Sequence, residues 1–403
     1  MKPNSKNILI LFLTLVIVMM GFGMIIPILP FYVKSFGASG SAMGLLMSAY
    51  AVMQFIFSPI WGSLSDRYGR KPLLLLGLAG NAFAMALSGL SIELWMLVAS
   101  RALAGMLSSA TLPTAMAFVG DSTAEEDRGG GMGKLGAAMG VGMILGPGLG
   151  GWLAEGSLSA PFYLAAGLSV LAMLLILLFL PESLPPEKRT HNTENKIHGP
   201  QFQEMWQALF SPIGILLLLA FLLSFGMTNF ESIFGIYALE KFSYGPKEVG
   251  TILTVIGIFS SLMQGGLTGP FTKRWGETAV IRASLLGSAL GFLVMLTAFN
   301  YTTVLITVSI FIISVAMLRP AISSLISRRA GAIGQGTAMG LNNSFMSLGR
   351  IIGPLWAGTV FDYHISLPYI SGSLIMFIGL VISLIWLSKQ RNSHSQTLGD
   401  ENA

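Results

Sequence analysis

The chain has 403 residues, of which 53% are hydrophobic and only 10% are charged, and its formal net charge is +5. Soluble domains carry about 25% charged residues, so this composition excludes a soluble globular protein and predicts a membrane protein. Cysteine is absent, which excludes disulfides and thiolate metal sites. The four histidines are scattered, so we expect no metal site.

Twelve apolar stretches approach or exceed the roughly 20 residues needed to cross a hydrocarbon core about 30 Å thick. Their approximate ranges are 8–30, 43–63, 73–91, 94–118, 132–153, 160–180, 211–236, 248–270, 279–299, 302–323, 337–359 and 367–388. The 48 glycines allow close approach between helices. We therefore expect an all-α polytopic membrane protein with twelve transmembrane helices.

The distribution of positive charge predicts the topology. Lys and Arg outside the spans concentrate in the N-terminus, the even-numbered loops and the C-terminus, whereas the odd-numbered loops hold only Lys34, Lys241 and Lys247. Cytoplasmic segments carry the excess of positive charge, so both termini are expected in the cytoplasm, with the protein in the cell (plasma) membrane. The excess of basic over acidic residues reflects this topology and does not predict nucleic-acid binding.

An internal repeat predicts two six-helix bundles. The repeated residues are Gly62, Gly69, Gly146 and Pro147, which recur 207 residues later as Gly269, Gly276, Gly353 and Pro354. The connection between the halves is polar and contains several prolines, which is typical of a linker. The predicted organisation is an N-terminal bundle at 1–180, a cytoplasmic linker at 181–210, a C-terminal bundle at 211–388 and a cytoplasmic tail at 389–403.

A short polar turn follows the second span. Its glycines permit a tight turn, and Asp66 is suited to accept hydrogen bonds from a helix terminus or to pair with a cation. One reading is a conformational latch that forms in one state and breaks in another; the other is a topology signal with a solvated acid. The candidate latch residues are Gly62, Asp66, Arg67, Gly69 and Arg70.

This turn resembles the loop between spans 2 and 3 of the major facilitator superfamily. In the fourth span, Arg101 and Gly105 resemble that superfamily's Arg-x-x-x-Gly pattern. The fifth span is similar to the Gly/Pro-rich motif of its antiporters at Gly133, Gly142, Gly146, Pro147, Gly150 and Gly151. We interpret these glycines as helix-packing residues, because no strand-turn-helix context supports a dinucleotide-binding loop.

The second half resembles the multidrug efflux branch of Bacillus and Staphylococcus, through Phe225-Gly226, Phe230-Glu231-Ser232 and Arg319-Pro320. The resemblance implies two bundles around a central cavity and export of drugs against an inward flow of protons. The chain departs from several members of that branch, which have an acidic residue three positions before the Arg-Pro pair, where this sequence has Ala316.

Glu231 is the only carboxylate in the interior of the predicted spans, since Glu248 stands at the first position of the span 248–270. Burying a carboxylate in hydrocarbon costs free energy unless the group is protonated, paired with a cation or hydrated. Competition between protonation and cargo binding at this one group is the physical basis of antiport. Alternatively, Glu231 lies at the outer rim, solvated or paired with Lys241.

Arg101 is the second candidate for proton coupling, because a guanidinium in a span stays charged and needs a partner. The alternative is a fixed structural cation bound to backbone carbonyls. Arg319 and Arg350 are equally compatible with anchoring roles at the membrane or cavity surface.

A multidrug cavity needs apolar and aromatic walls with few polar groups. The candidate cavity residues are Phe22, Gln54, Asn81, Asn229, Phe230, Phe234, Tyr237, Asn342 and Asn343. Each of these side chains is also compatible with helix packing alone.

These features predict a proton-coupled exporter of amphipathic, cationic small molecules that works by alternating access. Its expected partners are membrane lipid, a small-molecule substrate and protons, with no cofactor and no nucleic acid, and we expect a monomer. Nucleotide-binding and covalent catalytic motifs are not apparent, so we expect neither ATP as the driver nor an enzyme. Two alternatives stay open: a dedicated exporter of one metabolite, sugar or lipid, and a membrane receptor that binds a ligand without moving it.

Overall fold

The computed structural model describes residues 5–123, 127–189 and 202–400, and over these residues it is helical with no strand. Residues 190–201 of the predicted linker, including His191 and His198, and residues 401–403 of the predicted tail lie outside the described residues.

The described chain forms seventeen α-helices in series. In chain order they are α1 Ser5–Ile25, α2 Leu29–Ser35, α3 Gly40–Tyr68, α4 Arg70–Gly89, α5 Leu94–Ser108, α6 Thr111–Ser122, α7 Arg128–Ala154, α8 Ala160–Phe179, α9 Phe202–Leu209, α10 Gly214–Phe242, α11 Pro246–Leu262, α12 Thr268–Trp275, α13 Glu277–Leu296, α14 Tyr301–Ala316, α15 Leu318–Arg329, α16 Gln335–Tyr363 and α17 Leu367–Asp400. A π-helical turn, Met263–Leu267, joins α11 to α12.

Eleven stretches of helix in the described part of the chain are long and apolar enough to cross a membrane. They correspond to every predicted span except 337–359, which falls inside the 29-residue helix α16. α16 is long enough to cross a bilayer at about 1.5 Å per residue, but it is less apolar because it carries side chains such as Asn342, Asn343 and Arg350. The all-α polytopic fold is confirmed.

The first predicted span, 8–30, is broken. α1 ends at Ile25, and α2 begins at Leu29 with Pro30 in its first turn. Pro27 in the intervening turn has no N–H to donate, so the helical hydrogen-bond ladder stops before it and a new helix starts on Pro30.

The helices form two compact units. Unit 1 comprises Met1–Gln201 and Phe234–Gly257, and unit 2 comprises Phe202–Ile233 and Ile258–Ala403. α10 and α11 therefore contribute to both units. The predicted bundle boundaries near residues 180 and 211 remain a prediction.

Unit 1 has a continuous apolar core between α1, α4, α6, α7 and α8. Its centre consists of side chains that are almost fully buried, among them Leu15, Leu74, Phe118, Leu135 and Ile176. Since lipid is as apolar as this core, close packing and hydrogen bonds between helices hold the bundle together.

Candidate functional site

The direction of the Glu231 side chain follows from its neighbours on α10. Thr228 Oγ1 donates to the carbonyl oxygen of Gly349 on α16 at 3.2 Å, and the ring of Phe230 lies 5.2 Å from that of Phe311 on α14. Successive helical residues are separated by about 100° around the axis. Glu231, one position beyond Phe230 and three beyond Thr228, therefore projects between α14 and α16.

Two cations act electrostatically on the Glu231 carboxylate: Arg350 on α16, which directly follows Gly349, and Arg319 on α15. Glu231 and Arg350 are half-buried and Arg319 is exposed. Charged groups within a membrane span face water or protein rather than lipid, so we treat these three residues as one polar group, the Glu231 cluster.

The close approach of α16 to α10 positions this cluster. A Cβ at Gly349 would lie 2.6 Å from the carbonyl oxygen of Phe221, and Ser224 Oγ donates to the carbonyl oxygen of Met346 at 2.6 Å. Backbones this close leave no room for a side chain at position 349. Arg350, the residue after Gly349, therefore lies next to this close contact between α10 and α16.

The sequence left open a pairing of Glu231 with Lys241. Lys241, the suggested partner, has its Nζ 2.8 Å from the hydroxyl of Tyr237, to which it donates a hydrogen bond. Arg319 and Arg350 are the cations whose charges act on the Glu231 carboxylate.

Arg101 lies in unit 1 with 2% of its surface exposed. Its Cζ is 4.5 Å from the centroid of the Tyr50 ring, which is a cation–π contact. Among the described residues, its Nε and Nη1 have no hydrogen-bond partner. Gly105, one turn later, packs against the Tyr50 backbone, and the Tyr50 ring is 5.7 Å from that of Phe22.

The predicted latch centres on Arg70. Its Nη1 contacts Asp66 Oδ1 at 2.6 Å and donates to Ser65 Oγ at 2.6 Å, while its Nε donates to Asp121 Oδ2 on α6 at 2.9 Å. The Arg70 side chain is only 9% exposed. Asp66 thus pairs with a cation four residues later, and Asp121 completes the network from another helix.

Glu182, after α8, caps this network. Its carboxylate accepts hydrogen bonds from the backbone N–H groups of Arg70 and Lys71 at 2.9 and 3.2 Å. These N–H groups open α4 and have no partner within the helix. Gly69 precedes them with a φ of +105°, and a Cβ there would overlap the Glu182 carboxylate. Glycine is required at position 69, whereas a Cβ at Gly62 would meet nothing within 4 Å.

The second half repeats the network with its charges reversed. Glu277 lies 207 residues after Arg70, and Arg328 lies 207 residues after Asp121. In unit 2, Arg328 Nη1 contacts Glu277 Oε1 at 2.8 Å. The same pair of positions therefore forms an ion pair in each half, with acid and base exchanged. Applying the repeat distance of 207 residues to charged positions singles out Asp121 against Arg328, and it also aligns Glu182 with Lys389.

The glycines of α7 contact two different helices. Gly142, Gly146 and Gly150 recur every four residues and lie against α1, where a Cβ at Gly142 would be 2.6 Å from Met19 Cβ. Gly151 faces α11, and a Cβ there would overlap the carbonyl oxygen of Pro246. Gly133 differs from this set, because a Cβ there would meet nothing within 4 Å.

Contacts within unit 1 join helices from the two halves of the sequence. α7 packs on α11 around Gly151 and Gly250, and we call this contact the α7–α11 seam. Beside it, Lys247 lies 3.4 Å from Glu155. Lys34 on α2 pairs with Glu240 on α10 at 2.6 Å. Two of the three cations in the odd-numbered loops thus form ion pairs between the halves of the sequence.

The nine predicted cavity residues differ in burial and are divided between the two units. Six are buried: Asn81, Asn229, Phe230, Phe234, Tyr237 and Asn342. The Nδ2 groups of three of them bridge helices: Asn81 donates to Ser169 Oγ at 2.8 Å, Asn229 to the carbonyl oxygen of Pro368 at 2.8 Å, and Asn342 to Ser323 Oγ at 3.4 Å.

The remaining three cavity candidates have accessible side chains. Phe22 and Gln54, in unit 1, are half-buried, and Asn343, in unit 2, is exposed. The cavity assignment of all nine residues stays a prediction.

Comparison with known proteins identifies the family. The family model described as Major Facilitator Superfamily matches residues 11–354 and 216–402. The chain belongs to the Major Facilitator Superfamily. It is a multi-pass membrane protein of a transporter family rather than an enzyme, and such transporters handle small-molecule substrates.

Similar curated proteins span the whole chain. It is 32% identical to the quinolone resistance protein NorA of Staphylococcus aureus strain COL, over 99% of this chain and 100% of the relative. It is 31% identical to multidrug resistance protein 2 of Bacillus subtilis strain 168, over 97% and 98%. The predicted resemblance to this branch is confirmed.

Solved structures share the fold. The human organic anion transporter MFSD10 matches with a TM-score of 0.70 and 24% identity, over 95% of this chain and 100% of that chain. A POT family transporter in complex with 5-aminolevulinic acid matches with a TM-score of 0.77 and 17% identity, over 95% and 96%.

Proposed function

We propose that this protein is a proton-coupled exporter of amphipathic small molecules, of the multidrug efflux type, that works by alternating access. The Glu231 cluster carries the proposal, because it combines a carboxylate in the interior of a predicted span with two cations that act on its charge. Such a carboxylate can be protonated or ionised, and cargo and proton compete for it. The full-length similarity to a quinolone resistance protein and a multidrug resistance protein supports export of drugs.

The transport cycle requires contacts that open and close. The α7–α11 seam and the ion pairs beside it join helices of the two halves of the sequence, and their separation is the proposed opening step. We propose that both termini lie in the cytoplasm, which the distribution of Lys and Arg supports, and that the protein works as a monomer in the plasma membrane. Its remaining partners are lipid and protons.

The test is flux in proteoliposomes, with an imposed proton gradient and a fluorescent amphipathic dye. Glu231→Gln is expected to bind dye yet lose both gradient-driven accumulation and dye-driven proton movement, because glutamine cannot exchange a proton. Glu93→Gln, which neutralises an exposed acid in a loop, is the matched control and should transport normally. Unchanged coupled transport by Glu231→Gln would remove this residue from the mechanism.

The same assay separates the two alternatives. Competition by a single chemical type of compound would favour a dedicated exporter of one metabolite, sugar or lipid. Saturable binding without accumulation under any gradient would indicate a receptor.

A further inference from the structure

Three aromatic residues lie on one side of α9, the short helix that precedes α10. Phe202, Trp206 and Phe210, which we call the aromatic edge, are spaced four residues apart and are 63%, 66% and 78% exposed. The rings of Trp206 and Phe210 are 5.8 Å apart in an edge-to-face arrangement. A large aromatic side chain buries about 150–250 Å² when it is covered, so the aromatic edge is an apolar patch of the size that marks a contact surface.

The rest of α9 presents two further faces. The helix packs on α16 within unit 2, and its buried residues are Met205 and Ala208. Its polar residues, Gln203, Glu204 and Gln207, are exposed. At about 100° per residue, the aromatic edge, the polar residues and the buried residues occupy three successive sectors around the helix axis. Protein covers one sector, and the two exposed sectors differ in polarity.

The junction between α9 and α10 is compact. A Cβ at Gly214, the first residue of α10, would overlap the carbonyl oxygen of Leu209, the last residue of α9. Between them, Ser211 Oγ donates to the carbonyl oxygen of Ala208 at 2.6 Å, and the N–H of Gly214 donates to the carbonyl oxygen of Ser211 at 2.9 Å. Because α10 is long and apolar enough to cross a membrane, α9 is held beside the point where the chain enters the membrane.

We propose that α9 is an interfacial helix whose aromatic edge inserts into the lipid at the membrane surface where α10 begins. A helix that lies in the plane of this surface beside the bundle meets protein, lipid and water on different sides, which matches the three sectors of α9. Trp favours this level of the membrane, because its ring contacts apolar chains while its N–H stays near water. Under the proposed topology, the surface is that of the cytoplasmic leaflet.

The residues of α9 favour apolar insertion over attraction to anionic lipid headgroups. Glu204 is the only charged residue of the helix, and it lies in the polar sector. Helices that bind membranes through charge carry Lys and Arg at such positions. We therefore expect insertion of α9 into a membrane of uncharged, zwitterionic lipid, with no requirement for anionic lipid.

The experiment places nitroxide labels on single cysteines, which is straightforward because the chain has no cysteine of its own. Trp206→Cys and Phe210→Cys report on the aromatic edge. Gln203→Cys and Gln207→Cys, at exposed positions of the polar sector of the same helix, are the matched controls. For the full-length protein in phosphatidylcholine nanodiscs, the collision rate of each label is measured with oxygen, which concentrates in lipid, and with a nickel chelate, which stays in water.

We expect the labels at positions 206 and 210 to lie roughly 5–10 Å deep at the boundary of headgroups and acyl chains, and the labels at 203 and 207 to lie in water. Labels on the aromatic edge that collide with the nickel chelate as often as the control labels do would overturn the proposal.

The natural Trp206 provides a second measurement. The fluorescence that Trp206→Phe removes is the contribution of this residue, and the phenylalanine keeps an aromatic ring in place. We expect this contribution to be quenched by phosphatidylcholine that is brominated on its acyl chains, and to be protected from iodide in the water. Quenching by iodide without quenching by the brominated lipid would contradict insertion.

Other occupants of the aromatic edge give different results. Label depth that appears only when phosphatidylglycerol is added, and that is lost at high salt, would indicate electrostatic docking and overturn apolar insertion. Labels that are shielded from both oxygen and nickel, with spectra broadened by a nearby second label, would indicate contact with a second copy of this chain and would also overturn the proposal. None of these measurements depends on transport, so the docking of α9 is tested separately from the proposed export function.

Discussion

Replacement of Gly151 by alanine should open the α7–α11 seam. A Cβ at this position would overlap the carbonyl oxygen of Pro246 and lie 3.1 Å from the Cα of Gly250. Both are backbone atoms, which cannot rotate away as a side chain can. The added methyl group therefore forces α7 and α11 apart when the seam is closed and meets no such obstacle when it is open.

The expected size of the shift follows from the cost of overpacking. Inserting a methyl group into a well-packed contact costs about 1–3 kcal/mol. At about 1.4 kcal/mol per factor of ten, this cost raises the ratio of open to closed seam roughly 5-fold to 150-fold. The exposed ion pair Lys247–Glu155 contributes less, about 0–1 kcal/mol.

A cysteine reporter can measure the opening, because the natural chain contains no cysteine. Thr254 lies in the seam, since a Cβ at Gly148 would be 2.9 Å from its Oγ1, and that oxygen is buried. The rate at which Thr254→Cys reacts with a maleimide reports the open fraction. We expect Gly151→Ala in this background to react roughly 5-fold or more faster.

Two other glycines of α7 serve as comparisons. A Cβ at Gly133 would meet nothing within 4 Å, so Gly133→Ala should leave the reaction rate unchanged. Gly146→Ala would strike the backbone of α1 at Met20 and should lower thermal stability without exposing Thr254→Cys. Equal labelling rates for Gly151→Ala and Gly133→Ala would refute the assignment of the seam as a moving contact.

Three further predictions concern the charge networks. Asp66→Asn removes one anion beside Arg70 and is expected to slow dye turnover more than it weakens dye binding; lost binding with normal turnover would contradict the latch. Glu182→Ala should lower the unfolding free energy by about 1–2 kcal/mol in thermal or denaturant unfolding, because the N–H groups that open α4 lose their acceptor, whereas Glu182→Gln should retain part of it. Glu277→Arg and Arg328→Glu should each reduce transport, and the double variant should recover most of it if the two residues form one ion pair; no recovery would argue against the pair.

Some properties of this protein follow from local sequence because membrane physics acts on each segment separately. Every backbone polar group within lipid must be hydrogen-bonded, so long apolar runs form helices. The helical fold could therefore be predicted, whereas the role of the carboxylate Glu231 stays a prediction. The predicted span 337–359 falls inside helix α16, which is long enough to cross a membrane but less apolar than the other spans.

The partners of the charged groups could not be predicted from the sequence. They depend on which helix faces pack together, and the order of residues does not specify this packing. Arg319 and Arg350 act electrostatically on Glu231, and α10 packs on α14 and α16 through Phe230 and Thr228. The same holds for glycine: residues of one motif in α7 face α1, α11 or open space according to their angle around the helix. The direction of a side chain decides what it contacts only when another helix lies beside it. Which helix lies there is decided by the packing of the whole bundle.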